Sequence, residues 1–415
     1  MVARRQFLLG CPALGAALRP LVMSAPAQTH VAVVGAGAFG GWTALHLLRR
    51  GARVTLLDAW GPGNARASSG GETRVIRGTY AQRRYTELVA RSLVLWKESQ
   101  ARWRRPLLHP IGVLWLAGRD DRLERAAMPA LRDAGLPFEE LSRAELSRRF
   151  PQIHLPGVAW GLLERDAGYL RARQACEAVL EAFRSEGGTY QQLAAQPGAI
   201  QQGRMQALAL SDGSQLAADC FAFAGGPWLG KLFPELLGSL IQPTRQEVFF
   251  FGAPAGDARF TEERLPVWID HTGHPVYGIP GNQWRGFKLA DDTHGPAFDP
   301  TDGDRTPSAE GIAAARRFLA MRFPVLAGAP LLEARVCPYE NTPDQHLIVD
   351  RHPQAENAWI VGGGSGHGFK LGPAVGELAS RMVVDGRPAD PLFGLARLAT
   401  RAAGPAVAAH FGPGL

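Results

Sequence analysis

The period of the apolar positions changes along this chain, and each change marks an element. His30-Val31-Ala32-Val33-Val34 is a short, nearly unbroken apolar run, the pattern of a strand covered on both faces of a parallel sheet. The glycine-rich stretch from Gly35 to Gly40 follows, then a helical pattern over 41–50 that Gly51 stops. Residues 53–58 repeat the buried-strand pattern and end on Asp58. Helical periodicity covers 84–105 and 121–149, a strand is read over 107–116, and a turn at 166–169 precedes a helix over 171–186. Residues 213–228 read as a strand pair returning to the first sheet. From 243 to 300 the texture differs: aromatics, glycines and turn residues with alternating apolar positions, which predict an antiparallel sheet. A helix is expected over 310–323 and a last buried strand over 358–361, after which a glycine run opens a helix over 373–384.

This order predicts an α/β protein with a second, mixed sheet. A Rossmann-type nucleotide domain is expected from 28–106, 155–235 and 337–400. A substrate domain on an antiparallel or mixed sheet, from 107–154 and 236–336, is inserted into it. A length of 415 residues with 46% apolar and 20% charged content fits two domains. The formal charge is +7. No Lys/Arg block with interleaved aromatics accompanies it. The Arg102-Trp103-Arg104-Arg105 cluster reads as a solvated helix end, so nucleic acid is not an expected partner.

Residues 1–27 read as an export signal. Arg4-Arg5-Gln6-Phe7-Leu8-Leu9 has the twin-arginine form, and Ala25-Pro26-Ala27 is a small-x-small cleavage site. Pro12, Arg19 and Pro20 break the apolar run, so no stable membrane span is expected. The expectation is a periplasmic or secreted protein that meets the twin-arginine export machinery already folded. Cys176, Cys220 and Cys337 would remain, which is no disulfide framework.

Candidate chemistry lies in five places. Strand, Gly35-x-Gly37-x-x-Gly40, helix, strand, Asp58 is the dinucleotide pattern: the glycines admit a pyrophosphate to backbone amides, and the acid accepts from a ribose hydroxyl. Ser68-Ser69-Gly70-Gly71-Glu72-Thr73-Arg74-Val75-Ile76-Arg77 follows. Gly70 and Gly71 let backbone pass close to a flat cofactor. On a helical turn Arg74 and Arg77 would share a face and hold an anion. If 331–339 is a strand, alternation places Arg335, Cys337 and Tyr339 on one face, where Arg335 would favour a thiolate. Pro338 argues for an edge strand or a strand end. The run Gly362-Gly363-Gly364-Ser365-Gly366-His367-Gly368 would aim amides at an anion, with Lys370 adding a cation. Lys288 stands in the aromatic-rich stretch Trp284-Arg285-Gly286-Phe287-Lys288. No metal-binding set is assigned.

From about Val31 to Leu395 the chain resembles the monomeric sarcosine oxidase and N-methyltryptophan oxidase family of FAD-dependent amine oxidases. The resemblance is carried by Gly71–Arg77, Cys337-Pro338-Tyr339, Thr342-Pro343-Asp344-Gln345-His346-Leu347-Ile348-Val349-Asp350 and Ser365-Gly366-His367-Gly368-Phe369-Lys370. It implies FAD bonded covalently through Cys337 and bound also by Gly35, Gly37, Gly40, Asp58, Gly70, Gly71, Thr73, Arg74, Gly364, Gly366, Gly368 and Lys370. It implies hydride removal from a secondary or N-methyl amine or amino acid, with dioxygen as acceptor. Arg77 and Lys370 resemble the pair that grips the substrate carboxylate, Lys288 the lysine that promotes the oxygen reaction, and Arg74 a basic residue over the flavin. Tyr277 and Tyr339 resemble walls of the substrate pocket. The chain departs from the family pattern at Gly70 and Asp292, both usually histidine, and at Pro338. Gly70 is expected to enlarge the pocket. A dehydrogenase using a quinone or carrier, and a flavin-containing binding protein without turnover, are the alternatives.

Overall fold

The computed structural model describes residues 28–398. Its first sheet has six strands, in the order Ile348–Arg351, Ala358–Gly362, Cys220–Phe223, His30–Val34, Arg53–Leu57 and Thr189–Gln191. All pair in parallel except Ile348–Arg351. The apolar run at 31–34 is unbroken because both faces are covered. Val31 and Val33 enter a core shared with the helices Ala38–Arg49, Arg83–Trp103, Ala172–Ser185 and Gly372–Asp385. Ala32 and Val34 enter a second core, formed with Ala207–Leu210 and the short helices Leu229–Leu232 and Pro234–Leu237. Close packing of helix on helix needs small residues: a Cβ on Gly376 would lie 2.6 Å from the backbone carbon of Trp42.

The second sheet has eight strands, in the order Leu331–Asn341, Gln242–Phe251, Phe287–Asp291, Val276–Ile279, Val267–His271, Val113–Ala117, Trp160–Glu164 and Phe138–Ser142. It is antiparallel except between Val267–His271 and Val113–Ala117. One face packs on the helix Ala309–Arg322 through Trp268, Phe287, Leu289 and Leu319. Alternation then sends Lys288 and Ala290 to the opposite face. A small sheet of Thr73–Ile76, Gly168–Arg171 and Leu108–His109 lies apart from these two. Pro338 does lie on an edge strand. Among the described residues no helix is long and apolar enough to cross a membrane. The export signal expected at 1–27 lies outside the described residues.

Several expected elements differ. The helix over 121–149 is broken by the strand Phe138–Ser142. The strand over 107–116 splits into Leu108–His109 and Val113–Ala117, in different sheets, at Gly112, whose φ is +85°. The turn expected at 166–169 is shorter, a bend at 165–166, and the strand Gly168–Arg171 follows because Gly168 lets the chain pass His109: a Cβ there would sit 2.0 Å from its carbonyl oxygen. Of the expected returning pair only Cys220–Phe223 joins the first sheet, while Gln215–Ala217 pairs with Ala207–Leu210. Trp160–Glu164 and residues 337–341 belong to the eight-stranded sheet, across the domain boundaries expected at 154/155 and 336/337.

Candidate active site

The dinucleotide loop is built by exclusion of side chains. Gly35 has φ +102°, and a Cβ on it would lie 2.3 Å from the Ala224 carbonyl oxygen. A Cβ on Gly40 would lie 1.8 Å from the Gly35 carbonyl oxygen. Gly37 faces the Ser69 hydroxyl, which accepts from the Ala38 amide at 2.9 Å. Asp58 accepts from the amides of Ala36, Trp60 and Gly61 at 2.7, 2.9 and 2.8 Å. Burial nevertheless pushes its carboxyl up.

Gly35, Gly37, Asp58 and Ser69 line one wall of a long cavity, roughly 1200 Å³ with its solvent mouth included, whereas Gly40 does not line it and instead lets the helix pack on the loop. The cavity runs past Ala224–Trp228 to Arg74, Tyr339, Glu340, Gly364, Gly366 and Gly368. A second cavity, about 640 Å³ on the same measure, is lined by Arg74, Arg77, Tyr277, Asp292, Cys337, Tyr339 and Lys370. Arg74, Tyr339, Gly366 and Phe369 line both. The long cavity fits an extended dinucleotide: glycines where phosphates need backbone, an acid beside the first strand, and an unpartnered buried carboxylate oxygen on Glu340 at the other end.

Of the predicted catalytic residues, Arg74, Arg77, Lys370, Tyr277 and Tyr339 line the second cavity, with some changes of geometry. Arg74 lies on the strand Thr73–Ile76, so Arg74 and Arg77 do not share a helical face. Both still reach the cavity. The Arg74 guanidinium donates to the carbonyls of Thr73 at 3.0 Å, Ser68 at 2.8 Å and Gly70. Arg77 is buried, donates to the Thr79 carbonyl, and lies 4.4 Å from the Tyr80 ring centre and 5.0 Å from that of Trp115. Lys370 is buried, with Nζ donating to the His367 carbonyl at 2.8 Å. Burial, helped by the Arg77 charge, holds its amine well below the ordinary lysine range. The glycine run before it does not open a long helix directly. A 3-10 turn, Phe369–Leu371, intervenes before Gly372–Asp385.

Lys288 lines neither cavity. Its Nζ donates to the Thr73 carbonyl at 2.9 Å and lies 5.4 Å from the Tyr277 ring centre. Burial lowers its amine to about 7, and Arg74 and Arg335 add to the fall while Cys337 and Asp292 oppose it. Tyr339 donates its hydroxyl to Asp292 at 2.7 Å, and burial raises both Tyr277 and Tyr339.

Cys337 is a free, half-buried thiol facing the second cavity. Arg335, expected to act on that thiol, instead pairs with Glu333 and, at 3.4 Å, with Glu72. Gly70 does not enlarge the pocket. It lines neither cavity, and a Cβ there would lie 2.3 Å from the Asn64 carbonyl oxygen. Gly71, with φ +89°, makes room for the Arg74 guanidinium: its Cβ would lie 3.0 Å from Nη1. Thr73 contributes its carbonyl, shared by Arg74 and Lys288.

Sequence reasoning missed Glu164, Tyr80 and Glu340. Glu164 is buried and holds the Gly78 and Thr79 amides, the Thr79 hydroxyl and the Trp115 indole, which fixes the turn after Arg77. Tyr80 meets His367 Nδ1 at 3.2 Å. No pattern in the sequence marks Glu164 or Glu340, and their burial in the fold is what singles them out.

Residues 30–382 match the family described as FAD dependent oxidoreductase. The chain belongs to that family. It is 32% identical over 386 residues to the monomeric sarcosine oxidase of Streptomyces avermitilis, covering 89% of this chain and 97% of that one. It is 29% identical over 356 residues to the human peroxisomal sarcosine oxidase, covering 83% and 90%. The fold is also that of the L-proline dehydrogenase from P. horikoshii, with a TM-score of 0.78 at 19% identity over 90% of this chain and 98% of that one. The family member described here is thus an FAD-dependent oxidoreductase of amine or amino-acid CH–NH bonds, an oxidase of the sarcosine oxidase kind.

Proposed function

We propose that the substrate is a secondary or N-methyl amino acid whose carboxylate is held by Arg77 and Lys370. The observation that carries this is the pair of buried cations in one cavity that adjoins the long FAD-type cavity along Arg74, Tyr339, Gly366 and Phe369. An anion there offsets the desolvation of both cations. The same positive surroundings disfavour an ammonium, so the amine is bound neutral and able to release hydride. Tyr277 and Tyr339 wall the amine's substituent. Bound FAD supplies the hydride acceptor and, with dioxygen as oxidant, yields hydrogen peroxide and an imine that water hydrolyses. Lys288 serves the oxygen half, and Cys337 forms the covalent link to the cofactor. Steady peroxide release on a panel of N-methyl and cyclic amino acids, absent with their carboxamides, is the expected result. Equal turnover of the carboxamides would refute the role of the cation pair.

A second reading, a dehydrogenase using a quinone or carrier, is favoured by one observation. The Lys288 amine is lowered to about 7, so much of it is uncharged above neutrality. Turnover with a quinone but not with dioxygen would select it. A flavin-containing binding protein without turnover predicts neither.

The protein is further proposed to be exported through the twin-arginine pathway and to work in the periplasm or outside the cell, on the strength of Arg4-Arg5-Gln6-Phe7-Leu8 and Ala25-Pro26-Ala27. Replacing Arg4 and Arg5 by Lys should leave yellow precursor in the cytoplasm. Unchanged export in that double variant would overturn the assignment.

A further inference from the structure

Glu340 is a buried acid without a structural employer. It follows Tyr339 near the end of the strand Leu331–Asn341 and is 5% exposed. Its Oε1 accepts from the Gly364 amide at 2.9 Å. Its Oε2 is buried without a hydrogen-bond partner, and the residue lines the long cavity. Two glycines clear the space around the carboxyl group. A Cβ on Gly226, which has φ +55°, would lie 3.2 Å from Oε2, and one on Gly364 would lie 3.0 Å from Oε1. Among the described residues no cation pairs with it. The charged groups lining the same cavity are Arg74, whose guanidinium is held by the carbonyls of Ser68, Gly70 and Thr73, and Asp58, held by three amides.

We propose that Glu340 is a flavin-contacting acid, which carries a proton on Oε2 and donates it as a hydrogen bond to an acceptor atom of the isoalloxazine ring. This rests on FAD occupying the long cavity. The ring, rather than the remainder of FAD, is the partner because Glu340 adjoins Tyr339 in sequence and bonds Gly364, close to Gly366. Tyr339 and Gly366 line both cavities, and the redox-active ring must sit where the two meet to reach a substrate. Burial already pushes the carboxyl up to about 7, with only the Gly364 amide opposing. A ring whose edge abuts the carboxyl would remove the remaining water and favour the neutral acid further. A neutral carboxyl has one hydrogen to give, and the ring's carbonyl oxygens and unprotonated nitrogens are acceptors. Such a bond strengthens as negative charge grows on the reduced ring, so Glu340 would raise the potential of the bound flavin.

The test uses full-length, FAD-loaded protein and the variants Glu340→Gln and Glu340→Ala. The infrared spectrum of the wild type at neutral pH should contain a carboxylic-acid carbonyl band that shifts in heavy water and is missing from Glu340→Gln. The visible flavin band and midpoint potential should be nearly unchanged in Glu340→Gln, whose amide still donates. In Glu340→Ala the potential should fall. If no acid band is lost in Glu340→Gln, the proton is not there and the proposal is overturned. An unchanged potential and flavin band in Glu340→Ala would overturn it as well, because the carboxyl would then only fill space. Should Glu340→Ala not fold, the infrared comparison with Glu340→Gln decides alone. Colourless wild-type protein would instead count against FAD in this cavity, a separate failure.

Discussion

Replacing Lys288 by Met separates the two halves of the proposed reaction. The variant keeps the length of the side chain and removes its amine, together with the 2.9 Å bond to the Thr73 carbonyl. Were the amine about 6 Å from a forming superoxide, its unit charge would contribute about 3 kcal/mol at an effective dielectric near 20. Each 1.36 kcal/mol is about tenfold in rate, so reoxidation by dioxygen should slow roughly a hundredfold. Because the amine is lowered to about 7, the wild-type reoxidation rate should itself fall as pH rises through that value. The fall should level off about two pH units higher, at the rate of the uncharged form. The Met variant should show no such slope. Anaerobic reduction by substrate should change far less in the variant. Misfolding does not confound the comparison. An unfolded lysine keeps its proton up to 10.5, whereas the folded one releases it near 7. The unfolded state therefore binds more protons between these values, and stability from this group rises with pH across that window. The variant loses this dependence and should melt no lower than wild type at neutral pH. Stopped-flow measurement of both half-reactions decides the matter. A Met variant that reoxidises at the wild-type rate, with the wild-type pH profile, would refute the role of Lys288 and favour an acceptor other than dioxygen.

The remaining predictions concern the cofactor link and the carboxylate grip. Acid-precipitated wild-type protein should stay yellow and Cys337→Ser should release its flavin to the supernatant; wild-type flavin that washes out would refute the covalent link. Arg77→Ala and Lys370→Met should each raise KM for a carboxylate substrate by roughly a hundredfold or more, as expected when a buried charge loses its partner. Since burial and Arg77 hold the Lys370 amine well below its usual range, binding a carboxylate should take up a proton. Wild-type KM should therefore rise with pH, and the Lys370→Met profile should be flat by comparison.

The nucleotide half of the fold was legible because its rules are local. An apolar run covered on both faces, a glycine loop whose side chains would collide, and an acid ending the next strand are all visible within residues 30–58. The second sheet was legible as a class from alternation at 243–300, but its partners were not. Nothing local says that Val113–Ala117 runs parallel to Val267–His271, or that the 121–149 stretch contains a strand. The site residues were found by motif, and their geometry was not. Alternation points Arg335 toward Cys337, but Glu72 and Glu333 compete for it across the fold. Gly70 suggests added space in the sequence, whereas the Asn64 carbonyl already fills it. Glu164 and Glu340 carried no motif, since only tertiary burial makes them notable.

The strand Leu331–Asn341 acts as a ruler between two chemistries. From Gln242 to Phe250 its ladder with the neighbouring strand runs without a break, and the irregularity falls at Phe250/Phe251, well away from Cys337. Cys337 and Tyr339 line the second cavity, and Tyr339 and Glu340 line the long one. Their spacing is therefore set in steps of about 3.3 Å by backbone hydrogen bonds, not by side-chain packing. A point substitution can alter one chemical group here without moving the others. An insertion or deletion of one residue would exchange their faces all at once. A substitution in this stretch therefore changes one chemical group, whereas a change of length would reset the register of both cavities at once.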